Sequence, residues 1–164
     1  MQHVQPRSTT SALVLTAVLI ALTTLFTMYT KIPVPGIRGY FNVGDVVIMT
    51  SALLLGRKYG AYIGAIGPAL ADLFLGYAVF VPITFVVKGI EGYLVGTVYN
   101  NKTTTSALVA TIVGGIVIVA GYFIAEYFVF DPGVAIASIL TNAIQAVMSV
   151  IISMILYAIL RRRL

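Results

Sequence analysis

From Val134 to Leu160 the chain runs without a single Asp, Glu, Lys or Arg. That is longer than the roughly 20 apolar residues needed to cross a hydrocarbon core. A run of this kind closes its backbone hydrogen bonds within itself, as a membrane helix does. It is not isolated: Ser11 to Tyr29 is also uncharged, and Ser106 to Phe130 carries only Glu126. With 60% hydrophobic and 9% charged residues and a mean hydropathy of +1.04, no stretch remains for a soluble domain, whose charged content is about 25%. The reading is an all-α integral membrane protein. Its 164 residues form a single domain of six transmembrane helices, at about 11–29, 42–55, 59–75, 77–99, 106–130 and 134–160.

The connections agree with that count. Lys31-Ile-Pro-Val-Pro-Gly-Ile-Arg-Gly39 holds two prolines and two glycines and is the longest non-helical link. Gly56-Arg57-Lys58 is a tight basic turn, Asn100-Asn101-Lys102 a polar one, and Asp131-Pro132-Gly133 a strong turn signal. An even number of spans puts both termini on one side. Arg7, Arg57, Lys58, Lys102 and Arg161 to Arg163 gather there, against Lys31 and Arg38 opposite, so both termini are expected in the cytoplasm. The net charge of +5 is thus spent on orientation, and nucleic acid is not an expected partner. Asn101-Lys102-Thr103 matches a glycosylation sequon by chance on that side. Cysteine is absent and the one histidine, His3, lies in the N-terminal tail. No metal site, cofactor or catalytic residue is expected, and no nucleophile and base pair supports an enzyme.

Polar residues inside the spans are costly, at roughly 2.5 to 3.5 kcal/mol for a charge at the centre, and face a protein interior or a wet cavity. Lys88 and Glu91 lie mid-span, three apart on one helix face. They are either a self-neutralising pair or a ligand anchor. Tyr122 and Glu126 in the fifth span, Asn142 and Gln145 in the sixth, and Asp72 in the third fall at comparable depths, under the loop bearing Arg38 and Tyr40. Such a mixture of amides, charges and phenols is what an orientation-specific small-molecule site requires. Asn42 and Asp45 are placed to cap the second helix. In the first span Ala17 and Ala21 share a face, continued by Thr24. Gly60 and Gly64 fit a close-crossing motif in the third, which Pro68 is expected to kink.

The block GYFNVGDVVIMTSALLLGRKYGAYIGAIGPALADLFLGY from Gly39 to Tyr77, continued by PITFVVKGIEGYLVG from Pro82 to Gly96, resembles the S components of energy-coupling factor (ECF) vitamin transporters. The branch is the one with riboflavin-, pyridoxine- and hydroxymethylpyrimidine-type members. The resemblance, extended by Ala17-x-x-x-Ala21 and Asn142-x-x-Gln145, spans nearly the whole chain. It implies a prokaryotic plasma-membrane protein that captures a water-soluble vitamin from outside. The energy would come from a membrane coupling subunit and two cytoplasmic ATPases, since the chain holds no phosphate-binding G-x-x-x-x-G-K-[ST] loop. By the same resemblance Ala17 and Ala21 contact the coupling subunit. Tyr40, Lys88, Tyr122, Glu126, Asn142 and Gln145 are the expected substrate-binding residues. The substrate expectation is a pyridoxine or hydroxymethylpyrimidine type of vitamin, with riboflavin second. A proton-coupled carrier using Lys88, Glu91 and Glu126 as a relay is the alternative of another class.

Overall fold

The computed structural model describes residues 9–33, 40–99 and 103–161. Six helices and a short hairpin follow in order: α1 (Thr9–Tyr29), β1 (Ile32–Pro33), β2 (Tyr40–Phe41), α2 (Gly44–Leu55), α3 (Arg57–Phe74), α4 (Phe80–Val98), α5 (Thr104–Val129) and α6 (Pro132–Arg161). The strands pair antiparallel, Ile32 with Phe41 and Pro33 with Tyr40. Arg7, Arg38 and Lys102 lie outside the described residues.

Local chemistry accounts for the ends. The Thr103 hydroxyl accepts from the Ser106 N–H and caps α5. The Asp131 carboxylate accepts from the Val134 N–H, and Pro132 occupies the first position of α6, where its missing N–H costs nothing. Asp131-Pro132-Gly133 is therefore a helix start as much as a turn. α4 begins at Phe80 rather than Tyr77, because Gly76 takes a left-handed φ of 81° and Ala78 and Val79 form a turn before the helix. Gly56, at φ 88°, is the one residue between α2 and α3. α3 runs on through Pro68.

Four of these helices, α1, α4, α5 and α6, are long and apolar enough to cross a membrane. α2 is different in kind. Its 12 residues rise about 18 Å, short of the roughly 30 Å hydrocarbon core. It is surrounded by every other helix, and all its residues from Gly44 to Leu53 are buried. Large apolar side chains such as Leu13, Ile116, Phe128 and Leu140 are exposed on the outer helices. Small and polar ones fill the interior, as expected where lipid is the solvent.

α3 and α4 meet backbone to backbone. A Cβ on Gly60 would lie 2.6 Å from the Gly92 carbonyl oxygen, and one on Gly64 would overlap the Lys88 carbonyl. The expected close crossing thus has α4 as its partner, and it fixes where Lys88 enters the interior. On the other side Thr24 donates to the Gly67 carbonyl at 2.9 Å. Thr24 is buried against α3, so the exposed small-residue face of α1 ends at Ala21.

Candidate functional site

α2 places Asp45 in its first turn, the position at which an acidic residue is read as a cap. No side chain caps α2. Asp45 instead turns into the bundle, fully buried, and accepts from Lys88 Nζ at 2.5 Å and from Gln145 Nε2 at 2.7 Å. Asn42 takes the local role, its Oδ1 accepting from the Gly44 N–H at 2.9 Å. The Asn42 N–H in turn donates to Gln145 Oε1 at 2.9 Å. Asn42, Asp45, Lys88 and Gln145 therefore form one network across α2, α4 and α6.

Lys88 and Glu91 do face each other, at 3.4 Å, but they are not a self-contained pair. Lys88 lies closer to Asp45, and its ammonium sits 5.4 Å from the centroid of the Tyr122 ring. Burying an ammonium is tolerable only with partners of this kind. Neither Glu91 carboxylate oxygen has a hydrogen-bond partner among the described residues.

Above this network lies a narrow cavity between the helices and the hairpin. Tyr40, Lys88, Tyr122, Glu126, Asn142 and Gln145 all line it, so the six residues expected from sequence are brought to one place. Their states differ. Tyr40 donates from its hydroxyl to Asp72 Oδ1 at 2.6 Å. Tyr122 and Thr84 share a hydroxyl contact of 3.0 Å. Glu126 Oε2 accepts from the Ser138 hydroxyl, and Oε1 has no hydrogen bond among the described residues. The side-chain amide of Asn142, half-buried, has no hydrogen-bond partner among the described residues. Lys88 and Gln145 spend their polar atoms inside the protein, so they shape the wall more than they offer free groups.

The mouth is aromatic. Tyr40 packs on Tyr77 with centroids 5.0 Å apart, Tyr77 on Phe80 at 6.3 Å and Phe80 on Phe130 at 5.4 Å. Lys31 lies 4.7 Å from the Tyr77 centroid. Burial first, then Asp72 beside it, holds the Tyr40 phenol above its usual range, so Tyr40 stays a hydrogen-bond donor. The space open to water centres is about 40 Å³, enough for about three waters at roughly 10–15 Å³ each. A wider groove between α5 and α6 is lined only by residues such as Ile116, Phe123 and Val147. With no polar side chain in it, that groove has nothing to read a polar molecule with.

Sequence reasoning missed Asp45, Thr27, Thr84 and Ser138. For Asp45 a signal existed: an intramembrane lysine needs a carboxylate on another helix, and few are available. Ala17 and Ala21 stand apart from the cavity, exposed on the outer face of α1.

A family model for the S component of ECF-type riboflavin transporters matches residues 7–162. The chain belongs to this family. An uncharacterized protein in a gap 3' region of Pyrococcus woesei is 41% identical over 144 residues, covering 86% of this chain and 95% of that one. The thiamine precursor transporter HmpT of Lactococcus lactis subsp. cremoris (strain MG1363) is 30% identical over 152 residues, 92% of this chain and 87% of that one. A solved structure of the S component of a bacterial ECF transporter superposes with a TM-score of 0.78 over 94% of this chain and 98% of that chain. At 20% identity it establishes the S-component fold. As an S component the protein is a multi-pass membrane subunit for vitamin uptake.

Proposed function

We propose that this S component binds a small vitamin or precursor with one heteroaromatic ring, of hydroxymethylpyrimidine or pyridoxine type, in the cavity above Asp45 and Lys88. The observation that carries the reading is the cavity's size and lining: about 40 Å³ open to water centres, beside a Glu126 oxygen and an Asn142 side-chain amide that have no hydrogen-bond partner among the described residues. Any ligand enters by displacing its walls. One ring with short substituents asks for less displacement than three fused rings with a polyol chain. A carboxylate and an amide suit a ring nitrogen beside an amino or hydroxyl substituent, and the Tyr40 and Phe80 faces suit the flat ring. The relatedness to a thiamine precursor transporter supports the same choice.

Riboflavin is the second reading, favoured by the family model's description. Titration of the purified protein with a vitamin panel distinguishes them. Submicromolar binding of riboflavin, with neither smaller ring bound, overturns the first choice. A proton-coupled carrier finds less support, because Lys88 is engaged by Asp45 and Glu91. Uptake that proceeds without ATP and is abolished by a protonophore would restore it.

The chain in this reading crosses the plasma membrane six times as a single domain, 1–164, with both termini in the cytoplasm. α2 traverses only part of the thickness. Ala17 and Ala21 meet a membrane coupling subunit, and two cytoplasmic ATPases supply the energy. This chain itself is not an enzyme.

A further inference from the structure

Beyond its first turn, the threonines of α1 follow a rule with one exception. Thr16, Thr23 and Thr24 each donate the hydroxyl to the carbonyl four residues back, at 2.7, 2.7 and 2.9 Å. Thr30, just past the helix, does the same at 2.6 Å. Thr27 does not. Its side chain is 1% exposed and lines the cavity, yet its Oγ1 has no hydrogen-bond partner among the described residues. Leaving a buried hydroxyl unbonded is unfavourable, and the backbone carbonyl that relieves its neighbours lies one turn away.

Gly44 explains where this hydroxyl points. A Cβ on Gly44 would overlap Thr27 Oγ1 and lie 3.0 Å from Asn42 Oδ1. The absence of that side chain lets the α1 hydroxyl reach the start of α2, beside an amide oxygen that also lines the cavity. Asn42 Oδ1 holds one lone pair on the Gly44 N–H and keeps another. The Asn42 amide oxygen only accepts, whereas the Thr27 hydroxyl donates or accepts. A group that fills the free Asn42 lone pair and also takes the Thr27 proton must donate to one and accept from the other, and a ligand hydroxyl does this with a single atom. An amine in the same place only donates, and a carbonyl only accepts.

We propose that Thr27 and Asn42 form the seat for a hydroxymethyl group on the vitamin ring, making Thr27 a specificity-determining residue contributed by α1. The proposal rests on the single-ring reading above, and both vitamin types named there carry such a group. It also brings α1 into contact with the ligand.

The experiment is a four-way titration. Wild type and Thr27→Val are each titrated with the hydroxymethyl aminopyrimidine and with the same ring bearing methyl in its place. One hydrogen bond corresponds to a change of about 3- to 10-fold. Wild type should prefer the hydroxymethyl form by that factor, and Thr27→Val should lose the preference. Thr27→Ser, which keeps the hydroxyl, should restore it. Equal wild-type affinity for the two ligands overturns the seat without any variant, as does an equal loss on both in Thr27→Val. If wild type binds neither pyrimidine, pyridoxine and its deoxy analogue are titrated in the same way, and absence of binding there too overturns the single-ring reading and the seat with it.

Discussion

At the scale of single residues the molecule is organised by Asp45. One carboxylate, fully buried, serves Lys88 on α4 and Gln145 on α6 with separate oxygens. Removing it leaves an ammonium buried with only Glu91, 3.4 Å away, and an amide stripped of its acceptor. Breaking a buried pair by deleting one member costs about 3–5 kcal/mol. Asp45→Ala is expected to lose that much, read as a lowered thermal midpoint in detergent, and to lose ligand binding. Gln145→Ala keeps the ion pair and is expected to cost less, about 1–3 kcal/mol. The reverse order would mean that the amide, not the pair, holds α2. Tyr40 gives a second test, in pH. Its phenol is raised above the ordinary value of 10.0, by burial and then by Asp72. Above pH 10 the unfolded chain therefore releases this proton while the folded one keeps it, and stability falls with rising pH by about 1.4 kcal/mol per unit. Tyr40→Phe removes that contribution. Between pH 8 and 11 its thermal midpoint should fall less steeply than that of wild type, and parallel curves would place the Tyr40 proton elsewhere.

At the scale of elements, α1 is a helix with two occupations. Its inner face spends Thr23 and Thr24 on packing against α3 and presents Thr27 to the cavity. Its outer face leaves Ala17 and Ala21 exposed, with Leu13, Val14 and Val18 around them. The proposed contact with the coupling subunit uses that outer face alone. Ala17→Phe and Ala21→Phe should leave vitamin affinity and the thermal midpoint of the isolated protein unchanged. Copurification with a coexpressed coupling subunit should fall severalfold, with transport. Loss of binding with normal assembly would place the face elsewhere. The elements also mark how far the sequence alone reached. Long apolar runs define α1, α5 and α6 because helix length and apolarity are local properties. Five of the six cavity residues were found through depth along each helix, which follows from rise per residue, and Tyr40 through the loop above them. What escaped depends on how helices face one another. Asp45 sits where a cap is expected, and only the approach of α4 and α6 turns it into a counterion. Lys88 and Glu91 satisfy the helical spacing rule, which hides that the nearer carboxylate comes from another helix. Thr24 falls on the same arc as Ala21, and only the position of α3 reveals that it is buried.

For the whole molecule, the two ends differ in chemistry. The α2–α3 elbow at Gly56 carries Arg57 and an exposed Lys58, and α6 ends at Arg161, which donates to Thr104 at the start of α5. The start of α1 and the link from α4 to α5 fall at that same end. The opposite end holds the hairpin, the turn after Gly76 and the α5–α6 link, and there the aromatic mouth with Tyr40 and Phe80 opens the cavity. Basic ends stay in the cytoplasm, so the proposed orientation turns the mouth outward, as uptake requires. The chain has no cysteine, which makes the orientation directly measurable. Single replacements Lys31→Cys and Lys58→Cys would be treated in intact cells with a membrane-impermeant maleimide. Lys31→Cys, beside the mouth, should be labelled at once. Lys58→Cys should be labelled only after the membrane is opened. Because one short helix separates the two positions, α2, the pair also tests whether Gly44–Leu55, with the segment that leads into it, completes a crossing. Labelling of both from outside would remove that crossing, put the termini on opposite sides, and leave the basic end unexplained.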